Sequence, residues 1–233
     1  AVTGTINQIS KTAKDDDFTN TSFGTGTDQY FRVTADANRK LSDTSAARIN
    51  LMTHRNDSPE RDEVWFERWG VAPTVTFGLG TDLRTTLSYI HQENERVPDR
   101  GVLWRRAVSP GAGEAVPVDR STYFGFSNVD RENATVDVFT ATIEKEISPN
   151  LKLRNTTRQG SVDNDSTLVT LNGLVCIGGL PFNAPAGATC PTAPGGVMDT
   201  WRVEGNSLIP GNLRVDETKL TTNVTDLTWD VKT

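Results

Sequence analysis

The sequence predicts an all-β fold, with about eight antiparallel strands that form part of a transmembrane β-barrel. Three observations support this prediction: apolar and polar residues alternate with a period of two, short and long connections alternate along the chain, and the composition is polar. Hydrophobic residues make up 35% of the 233 residues and charged residues 23%, and the mean hydropathy is -0.45. A barrel tolerates such values because its strands need apolar side chains only at alternate positions.

Period-two alternation is clearest in residues 69–77, where bulky apolar residues occupy the odd positions from Trp69 to Phe77 and small or hydroxyl-bearing residues occupy the even ones. This stretch has about the length of a strand that crosses the hydrocarbon layer. Pro73 is unusual there, because proline lacks the N–H group of the strand ladder. The predicted strands are 17–26, 28–40, 45–55, 63–78, 82–96, 133–147, 150–163 and 213–232, with an additional extended piece at 2–11.

The connections between these strands alternate in length. We predict tight turns at Ser42–Ser45, Gly78–Asp82 and Ser148–Asn150, and longer polar connections at 55–62, 97–132 and 164–212. Outer-membrane barrels have this asymmetry, with short periplasmic turns and long extracellular loops. Phe77 and Trp229 lie near the turn ends of their strands, where an aromatic girdle is expected. The alternative is a soluble β-sandwich whose apolar face points inward.

The composition and motifs also limit the possible functions. The net charge of -6 argues against a general nucleic-acid binder, which would present a basic face. His54 and His91 are too few and too isolated to indicate a metal site. We find no serine–histidine–acid order, HExxH motif, phosphate-binding loop or CxxC motif. We therefore expect no enzymatic activity, no cofactor and no metal.

Cys176 and Cys190 are the two cysteines of the chain and flank a segment rich in Gly, Pro and Ala. We predict a loop disulfide between them in an oxidising compartment, and the alternative is two buried free thiols. The first residues lack a charged region followed by a long apolar run, as a secretory leader would have. We expect a mature form or a fragment, and the end at Thr233 within a predicted strand favours a fragment.

Five segments resemble the TonB-dependent siderophore receptors, in particular the catecholate type. TGTINQISKT (3–12) is similar to the end of the family's plug domain. Residues 32–57, which include RVTADANRKLSDTSAARINL, resemble the second and third barrel strands around a periplasmic turn. Residues 61–101, 118–158 and 218–233 resemble later hairpins and a descending strand. The resemblance covers nearly the whole chain apart from the loop with the cysteines.

The resemblance implies a receptor in the outer membrane of a Gram-negative bacterium that imports ferric siderophores. Family members hold a plug domain inside a barrel of about 22 strands and draw energy through the TonB complex. Residues 1–16 would then be the end of the plug and its linker, and residues 17–233 the N-terminal part of the barrel. The remaining plug, through which TonB would act, is absent from this chain. Outer-membrane lipid and lipopolysaccharide would be further contacts.

Loop 97–132 contains the candidate ligand-binding residues. Ferric catecholates are anionic and carry flat aromatic rings, which suit arginine and aromatic side chains. The hypothesis is that the outer surface above the barrel is lined by Trp104, Arg105, Arg106, Arg120, Tyr123 and Phe124. The alternative is that the aromatic residues pack the loop while the arginines face water or lipopolysaccharide phosphates.

Two other classes of protein remain alternatives to the import receptor. One is a passive porin or a small structural barrel, and the other is a soluble extracellular β-sandwich that binds a ligand. A plug domain encoded upstream of Ala1 distinguishes the receptor from the porin. Purification without detergent would favour the soluble module.

Overall fold

The computed structural model describes residues 10–99, 101–102, 104–105, 114–115, 119–168, 170–171, 175–177, 180–182, 202–203, 208–209 and 213–230. Eight long strands form one antiparallel sheet in the order β1-β2-β3-β4-β5-β8-β9-β15. Their bounds are β1 Phe18–Thr25, β2 Phe31–Ser42, β3 Ser45–Asp57, β4 Trp65–Phe77, β5 Leu83–Arg96, β8 Arg131–Ser148, β9 Leu151–Thr167 and β15 Leu213–Trp229. Within the described ranges, no helix is long and apolar enough to span a membrane.

Seven short strands in the long connections form three small sheets. They are β6 Trp104–Arg105, β7 Glu114–Ala115, β10 Thr170–Leu171, β11 Val175–Ile177, β12 Leu180–Phe182, β13 Arg202–Val203 and β14 Leu208–Ile209. β6 pairs with β7, β10 pairs with β14, and β11 lies between β12 and β13.

The eight predicted strands correspond to the eight long strands of the sheet. The largest difference is at the end of β9, which continues to Thr167, whereas the prediction ended at residue 163. The strand extends further because its polar residues remain paired with β8 and β15 beyond that point. Most of the predicted extended piece at 2–11 lies outside the described residues.

The three tight turns lie at one end of the sheet, between β2 and β3, β4 and β5, and β8 and β9. We call this the turn end and the opposite one the loop end. Gly78 adopts a φ of 76°, and a Cβ there would lie 1.9 Å from the Leu83 carbonyl oxygen. The turn between β4 and β5 therefore requires glycine at this position.

The register of the sheet separates odd-numbered from even-numbered residues. In each pairing of the eight strands, odd residues face odd residues and even residues face even ones, apart from the bulges next to the turns. Because cross-strand partners share a face, the odd residues form one surface and the even residues the other. The odd face exposes large apolar side chains, including Ile49, Leu51, Phe77, Phe139 and Ile143. The predicted alternation is therefore confirmed.

The N-terminal segment, residues 10–17, crosses the even face of β2, β3 and β4. The fully buried Asn38 accepts a hydrogen bond from the Lys14 N–H (3.0 Å) and donates to the Lys14 carbonyl oxygen (2.8 Å). Arg48 donates to the Thr12 carbonyl oxygen (2.9 Å) and forms an ion pair with Asp36 (2.7 Å). The N-terminal segment thus covers the even face of these three strands through polar contacts.

Pro73 lies in the middle of the central strand β4. It pairs with Ile49 of β3, whereas the ladder to β5 is interrupted between Val71 and Thr74. The interruption has a simple cause, since proline has no N–H to donate. Proline was noted in the sequence as unusual within a strand. The structure shows that β4 is neither an edge strand nor bulged at this residue.

Replacing Asn38 by Ala should release the N-terminal segment from the sheet. The change leaves partly buried backbone groups of residues 14 and 16 without their partner, at a cost of about 1 kcal/mol or more. We expect faster cleavage by trypsin after Lys11 and Lys14 in the folded receptor. Asn50→Ala is the control, because it removes one contact with the exposed Lys11 ammonium (3.2 Å). Equal protection in the Asn38→Ala variant would contradict this role.

Candidate functional site

Three stretches at the loop end pack into a small outer layer: residues 58–64, residues 97–99 with 101–102, and residues 119–130. Its apolar centre consists of Val64, Val97 and Tyr123, against which Trp65 packs. Phe124 is also buried, with 2% of its surface exposed. The layer therefore has a core of its own above the ends of β3, β4 and β5.

Arg61 joins the three stretches through polar contacts. Its guanidinium donates to the Arg120 carbonyl oxygen (2.6 Å) and to the Asp99 carboxylate (2.7 Å). The Asp62 N–H also donates to the Ser121 carbonyl oxygen (2.8 Å). These contacts hold loop 97–132 against the shorter connection between β3 and β4.

The pKa of Asp99 reflects competing effects. Burial favours the neutral acid, but the Gly101 N–H and the Arg61 guanidinium both stabilise the carboxylate, and together they lower its pKa below the ordinary value. The ionised form thus holds the contact with Arg61 at neutral pH.

The predicted ligand-binding residues do not share one environment. Tyr123 and Phe124 are buried, and the Tyr123 hydroxyl donates to the Asp130 carboxylate (2.8 Å). In this conformation the two rings pack the loop. Arg120 is exposed and lies 3.1 Å from Glu60.

The structure describes the remaining predicted residues only in part. Trp104 and Arg105 form β6, although their side chains lie outside the described part, and Arg106 is outside it altogether. Cys176 lies in β11 and Cys190 is outside the described residues. The ligand contacts and the disulfide both stay predictions.

A second aromatic and basic surface lies on the even face at the loop end, and the sequence analysis missed it. This mouth cluster consists of Tyr30, Arg32, His54, Phe66 and Arg68. The His54 ring lies between Tyr30 (5.4 Å between centroids) and Phe66 (5.7 Å). The Arg68 guanidinium lies 4.8 Å from the centre of the Phe66 ring.

Strand register creates the mouth cluster. Arg32 of β2 pairs with His54 of β3, which pairs with Arg68 of β4, which in turn pairs with Asn94 of β5. The Arg68 Nε donates to the Asn94 side-chain oxygen at 2.5 Å. Residues far apart in sequence thus form one row across the sheet. The available signal was the even position of His54, Phe66 and Arg68 on either side of the connection 55–62; for Arg32 no such signal existed, because the connection between β1 and β2 is short.

The mouth cluster has the chemistry to bind a planar anion. Arginine supplies a permanent charge and a flat surface for stacking, and the aromatic rings supply apolar faces. The His54 Nε2 atom is buried and has no hydrogen-bond partner among the described atoms. Within the described ranges, no group of three or more His, Cys, Asp or Glu residues could hold a metal ion.

Toward the loop end, the side chains of the odd face change from apolar to aromatic and charged. The Trp69 Nε1 donates to Glu93 (2.9 Å), and the Trp69 ring lies 5.0 Å from that of His91. His91 in turn contacts the Asp137 carboxylate (2.8 Å), which also accepts from the Tyr89 hydroxyl. This aromatic and charged network lies next to the apolar rows, as residues at a membrane–water interface do.

Acidification should loosen the outer layer through Asp99. Because its pKa is lowered in the folded protein, its stabilising contact is complete above the unfolded pKa of about 4 and is lost as pH falls below that value. We expect the distance between spin labels at the exposed positions Pro59 and Val102 to broaden near pH 3. Asp99→Asn should broaden it already at pH 7. A distribution unchanged by both treatments would contradict the assignment.

Comparisons with known proteins relate the chain to one family of receptors. No family model matches the chain. The chain is 33% identical to the catecholate siderophore receptor Fiu of Escherichia coli K12 over 98% of its length, and 34% identical to the probable TonB-dependent siderophore receptor PiuA of Acinetobacter baumannii over 71%. It spans 29% and 22% of those two proteins.

A solved structure supports the same relationship. The open form of the ferric-catecholate import receptor Fiu from E. coli K12 matches 96% of this chain with a TM-score of 0.71 and 28% identity, and the match covers 33% of that receptor. The eight-stranded antiparallel sheet thus follows the strands of a receptor barrel. The chain belongs to the family of TonB-dependent siderophore receptors.

Proposed function

We propose that this chain is part of an outer-membrane receptor that imports ferric siderophores of the catecholate type in a Gram-negative bacterium. The observation that carries the proposal is the mouth cluster, an aromatic and basic surface on the covered face of a receptor-like sheet. The names of the relatives, a catecholate siderophore receptor and a ferric-catecholate import receptor, agree with this ligand chemistry.

In this proposal the odd face contacts lipid and the even face lines the interior. The exposed apolar side chains at odd positions suit hydrocarbon, and the polar even face suits a wet or plugged lumen. The loop end then faces outward, because outer-membrane barrels carry their long loops on the extracellular side. Trp69 and its network would lie at the height of lipid and lipopolysaccharide headgroups.

We further propose that residues 1–16 end a plug domain and that residues 17–233 begin the barrel. The position of residues 10–17 on the even face supports this division, because a plug occupies the interior. β1 and β15 each pair on one side only among the described strands. Lipid does not tolerate open sheet edges, so a larger closed barrel would have to supply their partners. Energy would come from the TonB complex through the plug.

The ligand would be held by non-covalent contacts alone. Arg32 and Arg68 would face its negative charge, while Tyr30 and Phe66 would contact its rings. Trp104, Arg105, Arg106 and Arg120 would add contacts from the loops, and Tyr123 and Phe124 would support the loop from within. Binding and passage of this kind require no bond to be made or broken, so we propose no enzymatic step. The relatives favour neither a passive porin nor a soluble sandwich.

Replacing Arg68 by Ala in the receptor that contains this chain should weaken binding of a ferric catecholate by about 10-fold or more. A hydrogen bond to a charged group contributes roughly 1.5–3 kcal/mol, and the change also removes a ring contact. Quenching of tryptophan fluorescence by the ferric complex measures the affinity of the purified receptor.

Arg84→Ala is the matched control for this experiment. Arg84 is also an arginine on the even face, but it lies at the turn end and contacts Glu144 (2.8 Å), so its loss should leave the affinity unchanged. Alanine at both Arg105 and Arg106 tests the loop in the same way, and unchanged binding would exclude that pair. Equal affinities for the Arg68→Ala variant and the unmodified receptor would refute the mouth cluster as a ligand surface.

A charge placed on the odd face should impair insertion into a bilayer, whereas the same charge on the even face should not. Phe139 is 46% exposed on the odd face, and arginine facing lipid near the midplane costs about 2–4 kcal/mol. Thr140, the next residue, lies on the even face. We expect Phe139→Arg to reduce the folded fraction in lipid vesicles and Thr140→Arg to leave it nearly unchanged. The reverse order would place lipid on the even face.

A further inference from the structure

The odd face of β9 and β15 is polar at the level where that of β4 is apolar. From Val71 to Phe77 the odd positions of β4 carry apolar side chains. At the same level, the odd positions of β9 are Asn155, Thr157, Gln159 and Ser161, and those of β15 are Lys219, Thr221, Asn223 and Thr225. Apolar pairs reappear at the turn end, where Leu153 faces Leu227 and Leu151 faces Trp229.

This pattern leaves the pairing of β9 with β15 weakly specified. An apolar face normally fixes register, but here the odd face is polar at this level and the even face carries isolated apolar residues, Val162, Leu220 and Val224. A tight turn sets the register of β8 against β9. No such turn joins β9 to β15, since residues 168–212 lie between them. Within the connection, β10 pairs with β14 and holds the two ends together, and a side-chain contact between β9 and β15 would add to this alignment.

Four side chains at this place form a closed hydrogen-bond network, which we call the amide box: Asn155, Thr157, Asn223 and Thr225. The Asn155 Nδ2 donates to the Asn223 Oδ1 (3.0 Å) and to the Thr225 hydroxyl (2.7 Å). The Asn223 Nδ2 donates to the Asn155 Oδ1 (3.2 Å) and to the Thr157 hydroxyl (2.7 Å). All four amide hydrogens are thus used within the box.

The amide box depends on the observed register. Asn155 pairs with Thr225 and Asn223 pairs with Thr157 across the ladder, so each amide faces a hydroxyl. A shift of β15 by two residues in one direction places Leu227 opposite Asn155, and a shift in the other direction places Asn223 there. Both shifts separate the two amide–hydroxyl pairs. An amide donor left without a partner away from water is costly, so the shifted registers are disfavoured.

We propose that the amide box sets the register in which β15 pairs with β9. A buried asparagine pair fixes register in coiled coils by the same principle, because misaligned amides lose their partners. This inference concerns the assembly of the sheet and does not depend on which ligand is imported, but it rests on the proposed contact of the odd face with lipid.

Disulfide cross-linking in the full receptor tests the proposal, with Cys176 and Cys190 replaced by Ser. Thr156→Cys with Val224→Cys reports the observed register, because these residues are paired. Thr156→Cys with Thr222→Cys, and Thr156→Cys with Asp226→Cys, report the two shifted registers. With the amide box intact, we expect the first pair alone to form a cross-link efficiently.

The double variant Asn155→Leu with Asn223→Leu should reduce the cross-link between positions 156 and 224 by at least about half. A cross-link from position 156 to position 222 or 226 should appear instead, since alternative pairings become accessible. Asn155→Thr with Asn223→Thr keeps the positions polar but removes the amides, and the same change in cross-links is expected. This second variant decides the question if the leucine variant fails to fold.

Gln159→Leu with Thr221→Leu is the matched control. These residues form the next odd-face pair and lie outside the amide box, so the observed register should persist. Two results would overturn the proposal: unchanged cross-links in both asparagine variants, or an equal shift in the control, which would mean that any loss of polarity at this surface alters the register.

Discussion

The backbone hydrogen-bond ladder between neighbouring strands is the constraint on which the rest of this structure depends. In a bilayer no water is available to satisfy a backbone N–H or C=O group, so each strand must pair along its length. Antiparallel pairing then fixes which residues share a face. Here odd residues face odd residues across all eight long strands. One continuous ladder thereby separates two surfaces, and the odd one carries apolar rows on β3, β4, β5 and β8.

The two faces serve different purposes because the ladder separates them. The even face receives the N-terminal segment through Asn38 and Arg48, and nearer the loop end it carries the mouth cluster. The odd face supplies apolar rows and, beyond them, the network around Trp69 and His91. In the proposed receptor, the N-terminal segment leads into the barrel and the mouth cluster faces the ligand. The apolar rows of the odd face contact lipid. The mouth cluster lies nearer the loop end than the contacts of Asn38 and Arg48 do.

The sequence was sufficient to predict the strands, because period-two alternation and turn residues are local signals. Residues 69–77 and the turn around Gly78 illustrate this, since neither depends on distant parts of the chain. The mouth cluster was missed because Arg32, His54 and Arg68 become neighbours only through register. Tyr123 and Phe124 were predicted to face a ligand, but composition could not reveal that both are buried in this conformation, Tyr123 against Val64 and Val97. The amide box was missed for a related reason: Asn155 and Asn223 look like ordinary polar strand residues until they are paired.

Accessibility measured along one strand tests the central claim most directly. A nitroxide label placed in turn at each position from 71 to 77, in the full receptor in lipid vesicles, reports contact with lipid through collisions with dissolved oxygen and contact with water through collisions with a polar nickel reagent. The two-faced ladder predicts alternation with a period of two, with oxygen contact highest at Val71, Val75 and Phe77. Uniform accessibility, or oxygen maxima at the even positions, would contradict it.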